Sequence, residues 1–502
     1  MKRASGIILP VFSLPSPYGV GTLGKAARDF VDFLADARQS WWQVLPVGPT
    51  SYGDSPYQSP SAFAGNPYFV DLDLLVADGL LTQAEIEAPN WGDDPARVDY
   101  GALYESRLDL LRRAYGRGWQ RDADDVAAFA RDNADWLDDY VLFMAVKRHF
   151  GMASWYTWPD EDIRLHDADA CRRYERELDD DVRLFTYVQY LFFRQWEALR
   201  AYAHERGVGI FGDMPIYVAL DSADVWAHPE NYQLDERSNP ARVAGVPPDY
   251  FSEDGQLWGN PLYDWETMQK DGFAWWADRV ARLLSLVDIV RIDHFRGLAS
   301  YWEVDAKETT AKNGQWKKGP GVLLLHALRQ RLGDELPIVA EDLGVQSEDV
   351  ERLLETSGFP GMKVMEFECL GNGTPRAGVA APENCVLYTG THDNNTAAGW
   401  YADDLSFEDR AKVAAWLGVM PEMKDDGAET AKKVAGKLVE AAYASEARLV
   451  VIPAQDILAL NGRHRMNLPG TPEGNWSWRV KAGKLNETAA ERLSALVKKY
   501  GR

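Results

Sequence analysis

Short apolar runs that end in polar, glycine or proline residues recur along the chain. They are Gly6–Val11, Trp41–Val47, Val208–Met214, Val287–Ile292, Ile338–Ala340, Met362–Phe367, Cys385–Tyr388 and Leu449–Pro453. Each has the length of a strand and none alternates apolar with polar, the pattern of parallel strands buried on both faces. Amphipathic helical patterns separate many of them. Ala26–Ala37 carries Phe30, Val31, Phe33 and Leu34, Trp275–Leu286 carries Trp276, Val280, Leu283 and Leu284, and Leu323–Leu332 and Val350–Leu354 are similar. Strands alternating with helices eight times predict an α/β fold, a (β/α)8 TIM barrel. The alternative, an open doubly wound sheet, lacks its usual mark, because no G-x-G-x-x-G follows the first run. A last helix over Thr488–Tyr500 sets Leu493, Leu496 and Val497 on one face and would close the barrel.

A plain barrel takes roughly 250 residues, and this chain has 502. The surplus predicts one catalytic barrel over residues 1–502 with large inserted subdomains, mainly helical, in its strand–helix loops. The first, at about 60–205, reads as a helical subdomain with patterns at Tyr104–Arg113, Val126–Val146 and Tyr187–Tyr202. The second, at about 219–265, reads as a loop insertion covering the active site. Loops this long in a compact protein are usually functional.

Composition narrows the function by exclusion. The formal charge is −23 and basic residues cluster no further than pairs such as Lys317-Lys318, which argues against nucleic acid or an anionic membrane as partner. Cys171, Cys369 and Cys385 are few, odd in number and far apart, so neither a disulfide framework nor a zinc ribbon is expected, and a reducing, cytoplasmic location is. The apolar part of the N-terminus is too short for a signal peptide and reads as the first strand. Tryptophan is abundant, at 19 residues. Tyr52, Tyr57, Trp258, Trp476 and Trp478 lie in Gly/Pro/Ser-rich stretches rather than periodic segments, which suggests stacking surfaces as well as core.

The chemistry sits at run ends. In Val290-Arg291-Ile292-Asp293-His294-Phe295 the strand period points Arg291 and Asp293 the same way. Alone, this is a structural ion pair, or a carboxylate suited to act as nucleophile or electrostatic stabiliser. Asp213 ends the third run, Glu341 follows the fifth and Asp393 follows the seventh. Strand C-termini gather at one face of a barrel, so these acids would converge, and such a charge cluster needs a task. No metal-binding spacing, P-loop, nucleophile elbow or dinucleotide fingerprint is present, so neither metal nor cofactor is expected. Carboxylates with stacking aromatics point to glycosidic bonds, where one acid attacks and another carries a proton. Asp293 beside Arg291 fits the first role. Glu341 fits the second if its surroundings raise its pKa.

The motifs GDMP (with Asp213), RIDHFRG (Arg291, Asp293, His294), VAEDLG (Glu341) and GTHDNNT (His392, Asp393) resemble the four shared strand-end regions of the α-amylase clan. Three further marks, Asp54–Ser59 with Tyr57, Gln256–Pro261 with Trp258, and Asn467–Thr471 followed by Asn475–Arg479, resemble its amylomaltase or 4-α-glucanotransferase branch. The resemblance runs from about Gly6 to Arg479. It implies Asp293 as nucleophile, Glu341 as general acid and base, and Asp393 as stabiliser of the distorted sugar. It also implies Arg291, His392, His294, Asp213, Tyr57, Gln256, Trp258 and Asn467 as substrate-binding residues. The implied partners are an α-1,4-glucan donor and a maltooligosaccharide or glucose acceptor. The rivals are an α-glucan hydrolase of the same clan and a non-catalytic carbohydrate-binding protein.

Overall fold

The computed structural model describes residues 2–51, 53–248, 252–344, 347–369, 381–420, 427–471 and 473–502. All eight apolar runs become strands of one parallel sheet. In chain order its members are β1 (Ala4–Ile8), β2 (Trp41–Gln43), β3 (Gly209–Met214), β6 (Ile289–Ile292), β9 (Ile338–Ala340), β10 (Gly361–Val364), β11 (Cys385–Tyr388) and β12 (Leu449–Pro453). The sheet runs β10-β11-β12-β1-β2-β3-β6-β9, which is chain order around a barrel. Residues of β1, β6, β9, β11 and β12 are all buried, so the lack of alternation reflects a barrel lumen on one side and a helix layer on the other.

Closure between β9 and β10 uses a side chain as well as backbone. Ala340 N–H donates to the Pro360 carbonyl at 2.9 Å. The Asp342 carboxylate, just past β9, accepts the Met362 N–H of β10 at 2.6 Å. Gly361 makes room for it, since a Cβ there would lie 2.9 Å from both Asp342 oxygens.

Between β2 and β3 the chain builds the helical insertion. Its longest helices are Tyr100–Gly118, Ala134–His149 and Asp179–Glu205. Asp179–Glu205 packs on Ala134–His149 on one side and on the barrel on the other. Trp196 Nε1 donates to the Leu286 carbonyl at 2.9 Å, and Arg200 pairs with Asp288 at 2.6 Å. This helix therefore serves both the insertion and the barrel's helix layer. Trp155, Trp158, Trp196, Trp226 and Trp276 are fully buried, so much of the tryptophan content is core packing.

The expectation of loop over 219–265 is corrected by two strands, β4 (Arg242–Val246) and β5 (Gln256–Pro261). With β7 (Ser300–Asp305) and β8 (Gln315–Lys318) they form an antiparallel sheet in the order β5-β4-β7-β8. It has its own small apolar cluster of Val243, Val304 and Ala311. β4 pairs on one edge with the nearby β5 and on the other with β7 from far downstream, so part of the pairing that makes it a strand is non-local. Residues 249–251, part of the expected covering loop, and Tyr52 lie outside the described residues.

The final helix, Glu487–Tyr500, packs on Lys25–Asp36 and Ala428–Ala444 and completes the helix layer over β1 and β12. No helix among the described residues is long and apolar enough to cross a membrane.

The seam yields a prediction. Asp342→Ala strands the buried Met362 N–H and should cost about 1–3 kcal/mol of stability, while Asp342→Asn, which keeps an acceptor, should cost much less. Urea unfolding followed by tryptophan fluorescence checks this, and equal midpoints for wild type and Asp342→Ala would refute it.

Candidate active site

Strand register sets the height of each functional side chain. Asp213 of β3 pairs with Arg291 of β6, which pairs with Val339 of β9. One step beyond, Asp293 N–H donates to the Met214 carbonyl (2.9 Å) and Glu341 N–H to the Ile292 carbonyl (3.0 Å). Asp213 and Arg291 thus form a lower tier at the barrel's C-terminal face, and Asp293 and Glu341 the tier above.

Arg291 is the hub of the lower tier. Its guanidinium donates to both Asp213 oxygens at 2.7 and 2.8 Å and to Asp293 Oδ1 at 2.5 Å. Its Nε faces the Met362 sulfur at 3.4 Å. Burial disfavours its charge, but Asp213 and Asp293 outweigh this and hold it firmly protonated. Burial likewise raises the Asp213 carboxyl, and Arg291 opposes that rise. The Tyr57 hydroxyl donates to Asp213 Oδ2 at 2.7 Å, and burial keeps that phenol protonated. Two carboxylates share one guanidinium, which fixes the orientation of Asp293 through a charge-assisted hydrogen bond.

Glu341 has a different environment. Its two oxygens accept the backbone N–H groups of Leu343 (2.7 Å) and His294 (2.8 Å). Those bonds and Arg291 favour the ionised form, but burial and the negative charge of Asp293 prevail and raise its pKa to about 7. The His294 donor depends on a special backbone. His294 has φ +51° and ψ +47°, the left-handed region, which is uncommon for residues other than glycine. Its imidazole is kept neutral, with a pKa near 3, by burial and by Arg296. The Trp258 ring meets it edge-on at 4.8 Å, and Trp258 Nε1 donates to Gln256 Oε1 at 3.1 Å. β5 thereby brings both of its expected binding residues beside the fourth barrel strand's end.

The seventh strand's loop supplies the third acid. Asp393 is about half exposed, with His392 Nε2 at 3.5 Å. Asn467 Nδ2 donates to Asp393 Oδ1 at 2.6 Å. The Tyr57 ring stacks on His392 at 5.2 Å, and Trp476 lies 5.6 Å from Tyr57 and 5.8 Å from His392. Trp478 departs from the sequence expectation: it is buried in the core, where its carbonyl accepts the Ser13 hydroxyl at 2.7 Å.

All the expected residues therefore join one network or touch it. Two supports escaped sequence reasoning. Arg465 donates to the Asp393 carbonyl at 2.5 Å and to the Asn467 carbonyl at 2.6 Å. Its position two residues before Asn467 was the available signal. Glu366, one residue past the start of the short helix after β10, is buried under the Asp393 loop. It lay inside an apolar run and so read as part of a strand.

Comparison with known proteins agrees with this geometry. The model of the 4-alpha-glucanotransferase family (glycoside hydrolase family 77) matches residues 9–486. A 4-alpha-glucanotransferase of Streptococcus pneumoniae is 44% identical over 506 residues, covering 100% of this chain and 98% of that protein. One from Thermus thermophilus is 46% identical over 507 residues, covering 99% and 98%. The solved structure of an amylomaltase from Streptococcus agalactiae in complex with acarbose superposes with a TM-score of 0.94 at 37% identity over the whole of both chains. With its acids at the strand ends of a (β/α)8 barrel and this likeness along its full length, the chain belongs to the 4-alpha-glucanotransferase family, the amylomaltases.

Proposed function

We propose that this transferase moves α-1,4-glucan segments between maltooligosaccharides by a retaining double displacement, with Asp293 as nucleophile and Glu341 as acid and base. The observation that carries the reading is the contrast between two adjacent carboxyl groups. Asp293 is held by a guanidinium at 2.5 Å, whereas Glu341 is buried with its pKa raised to about 7. A carboxylate bound by a guanidinium beside a buried carboxyl that keeps its proton matches the division between nucleophile and proton carrier.

The steps follow from those roles. Asp293 attacks the anomeric carbon of the α-1,4-glucan donor while Glu341 gives its proton to the departing glycosidic oxygen. A covalent glucanosyl-enzyme results. Glu341, now ionised, takes the proton of the 4-hydroxyl of a maltooligosaccharide or glucose acceptor, whose oxygen displaces Asp293. Two inversions leave the α configuration. Asp393, oriented by Asn467, offsets the positive charge that develops on the sugar ring, and His392, stacked with the Tyr57 ring, holds sugar hydroxyls. Asp213 supports the site through Arg291. Tyr57, Gln256, Trp258, His294 and Asn467 line the glucan groove, the neutral His294 contributing hydrogen bonds without charge. An acceptor sugar held in the groove competes with water through its high effective concentration. The acarbose bound by the Streptococcus agalactiae relative fits a groove for oligosaccharides.

Three outcomes are expected. Incubated with pure maltotriose, the protein should yield glucose together with oligomers longer than maltotriose; products that are only shorter would favour the hydrolase reading. Asp293→Asn should lower kcat by roughly 10⁴-fold, and activity within about tenfold of wild type would remove Asp293 as nucleophile. Glu341 must be protonated to act as acid, and its protonated fraction falls as pH rises through about 7. The kcat/KM profile should therefore bend downward near neutrality, and a basic limb that persists unchanged in Glu341→Gln would show that another group titrates there.

A further inference from the structure

A fifth strand-end carboxyl, Glu366, lies beneath the loop that carries Asp393. It touches that loop at three points. Its backbone N–H donates to the Thr389 carbonyl at 3.3 Å. Its carboxyl packs so closely under Gly390 that a Cβ there would sit 2.9 Å from Glu366 Oε1. Its third approach is to the Asn394 side chain, whose Cβ would lie 3.2 Å from a Cβ on that same Gly390 and which favours the ionised form of the carboxyl.

Asn394 in turn shapes the turn that presents Asp393. Its Oδ1 accepts the Thr391 N–H (2.9 Å) and the Thr391 hydroxyl (2.7 Å), and Thr391 Oγ1 accepts the Asp393 N–H at 3.3 Å. The ends of the loop are clamped by the buried Asp456, which accepts the Thr389 hydroxyl at 2.6 Å and the Ala397 N–H at 2.7 Å.

We propose that Glu366 is a positioning residue for the transfer reaction: it holds Asn394, and through the Asn394–Thr391 turn it fixes Asp393 and His392 against the sugar. The inference rests on the proposed role of Asp393. Because Glu366 is buried near Asp456 and Asp404, its proton is retained well above the usual carboxylate range, against the opposing pull of Arg465 and Asn394. Glu366 Oε1 has no hydrogen-bond partner among the described residues, and an ionised oxygen so buried would be costly. The working form is therefore the neutral acid, for which glutamine is a close substitute. A methionine fills similar space without a hydrogen-bonding group.

The test measures kcat and KM for maltotriose disproportionation in wild type, Glu366→Gln, Glu366→Met, Asn394→Ala and Asp393→Asn, with melting temperatures alongside. Glu366→Gln should keep kcat within about threefold, and Glu366→Met should lose roughly 10–100-fold in kcat with KM little changed, the size of loss that follows small misplacement of a reacting geometry. Asn394→Ala, a half-buried change that leaves the core intact, should reproduce the kcat loss. Adding Glu366→Met to it should cost little more, because the two sites act through one link. Wild-type kcat in either Glu366→Met or Asn394→Ala, equal losses in Glu366→Gln and Glu366→Met, or additive losses in the double variant would each overturn the proposal. If Asp393→Asn is also unimpaired, the reading of Asp393 fails. If only Glu366→Met is unimpaired, the positioning inference alone fails.

Discussion

The buried Arg291 guanidinium is the constraint on which the site depends. It bonds Asp213 and Asp293 at 2.5 to 2.8 Å, and removal from water makes each of these charges costly unless all are present and well oriented. The arrangement therefore demands that strands β3 and β6 stay in register, since a shift of one residue would turn Asp213 away from Arg291. Tyr57, from the loop after β2, completes the set by donating to Asp213. A polar network of this kind inside a barrel lumen specifies one geometry, because any partial version leaves a buried charge uncompensated.

From that hub follows the different character of Glu341. It lies in the same tier as Asp293 and feels its negative charge, but Arg291 spends its donors on Asp213 and Asp293. Backbone N–H groups from Leu343 and His294 orient the Glu341 carboxyl instead. Their support is weaker than burial, so the proton is retained to about pH 7. The left-handed backbone of His294 is part of this device, because it turns an N–H toward Glu341 directly after Asp293. The contrast between Asp293 and Glu341 is thus set by neighbours on adjacent strands and by one strained residue between them.

The Asp393 loop is organised on another plan. Asp393 is half exposed and has no guanidinium against its carboxylate among the described residues; Arg465 reaches its backbone carbonyl instead. Its side chain is set by Asn467 from far downstream. The loop is contacted from beneath, by Asp456 at its two ends and by Glu366 under Thr389 and Gly390. This leaves the Asp393 side chain half exposed while the backbone is held.

The barrel and its acids were legible in the sequence because both depend on local pattern. Eight apolar runs of strand length are enough to mark strands buried on two faces, and the acids that follow them must gather where strand ends gather. The motifs at Asp213, Asp293, Glu341 and Asp393 are also contiguous, so each can be read without knowing the others' positions. What depended on contacts between distant segments was not legible. β4 and β5 read as loop because β5 pairs with β4, and β4 is held on its other edge by the distant β7. Trp478 and Trp476 read alike and both are buried, yet only the Trp476 ring lies against Tyr57 and His392 among the described residues. Glu366 lay hidden in an apolar run, since a carboxyl that is buried and neutral fits an apolar pattern as well as a nonpolar residue does. The sequence by itself determined which residue types stand at the strand ends; the tertiary structure alone decided which of them share Arg291 and which keep a proton, because charge state is a property of neighbours and burial rather than of residue type.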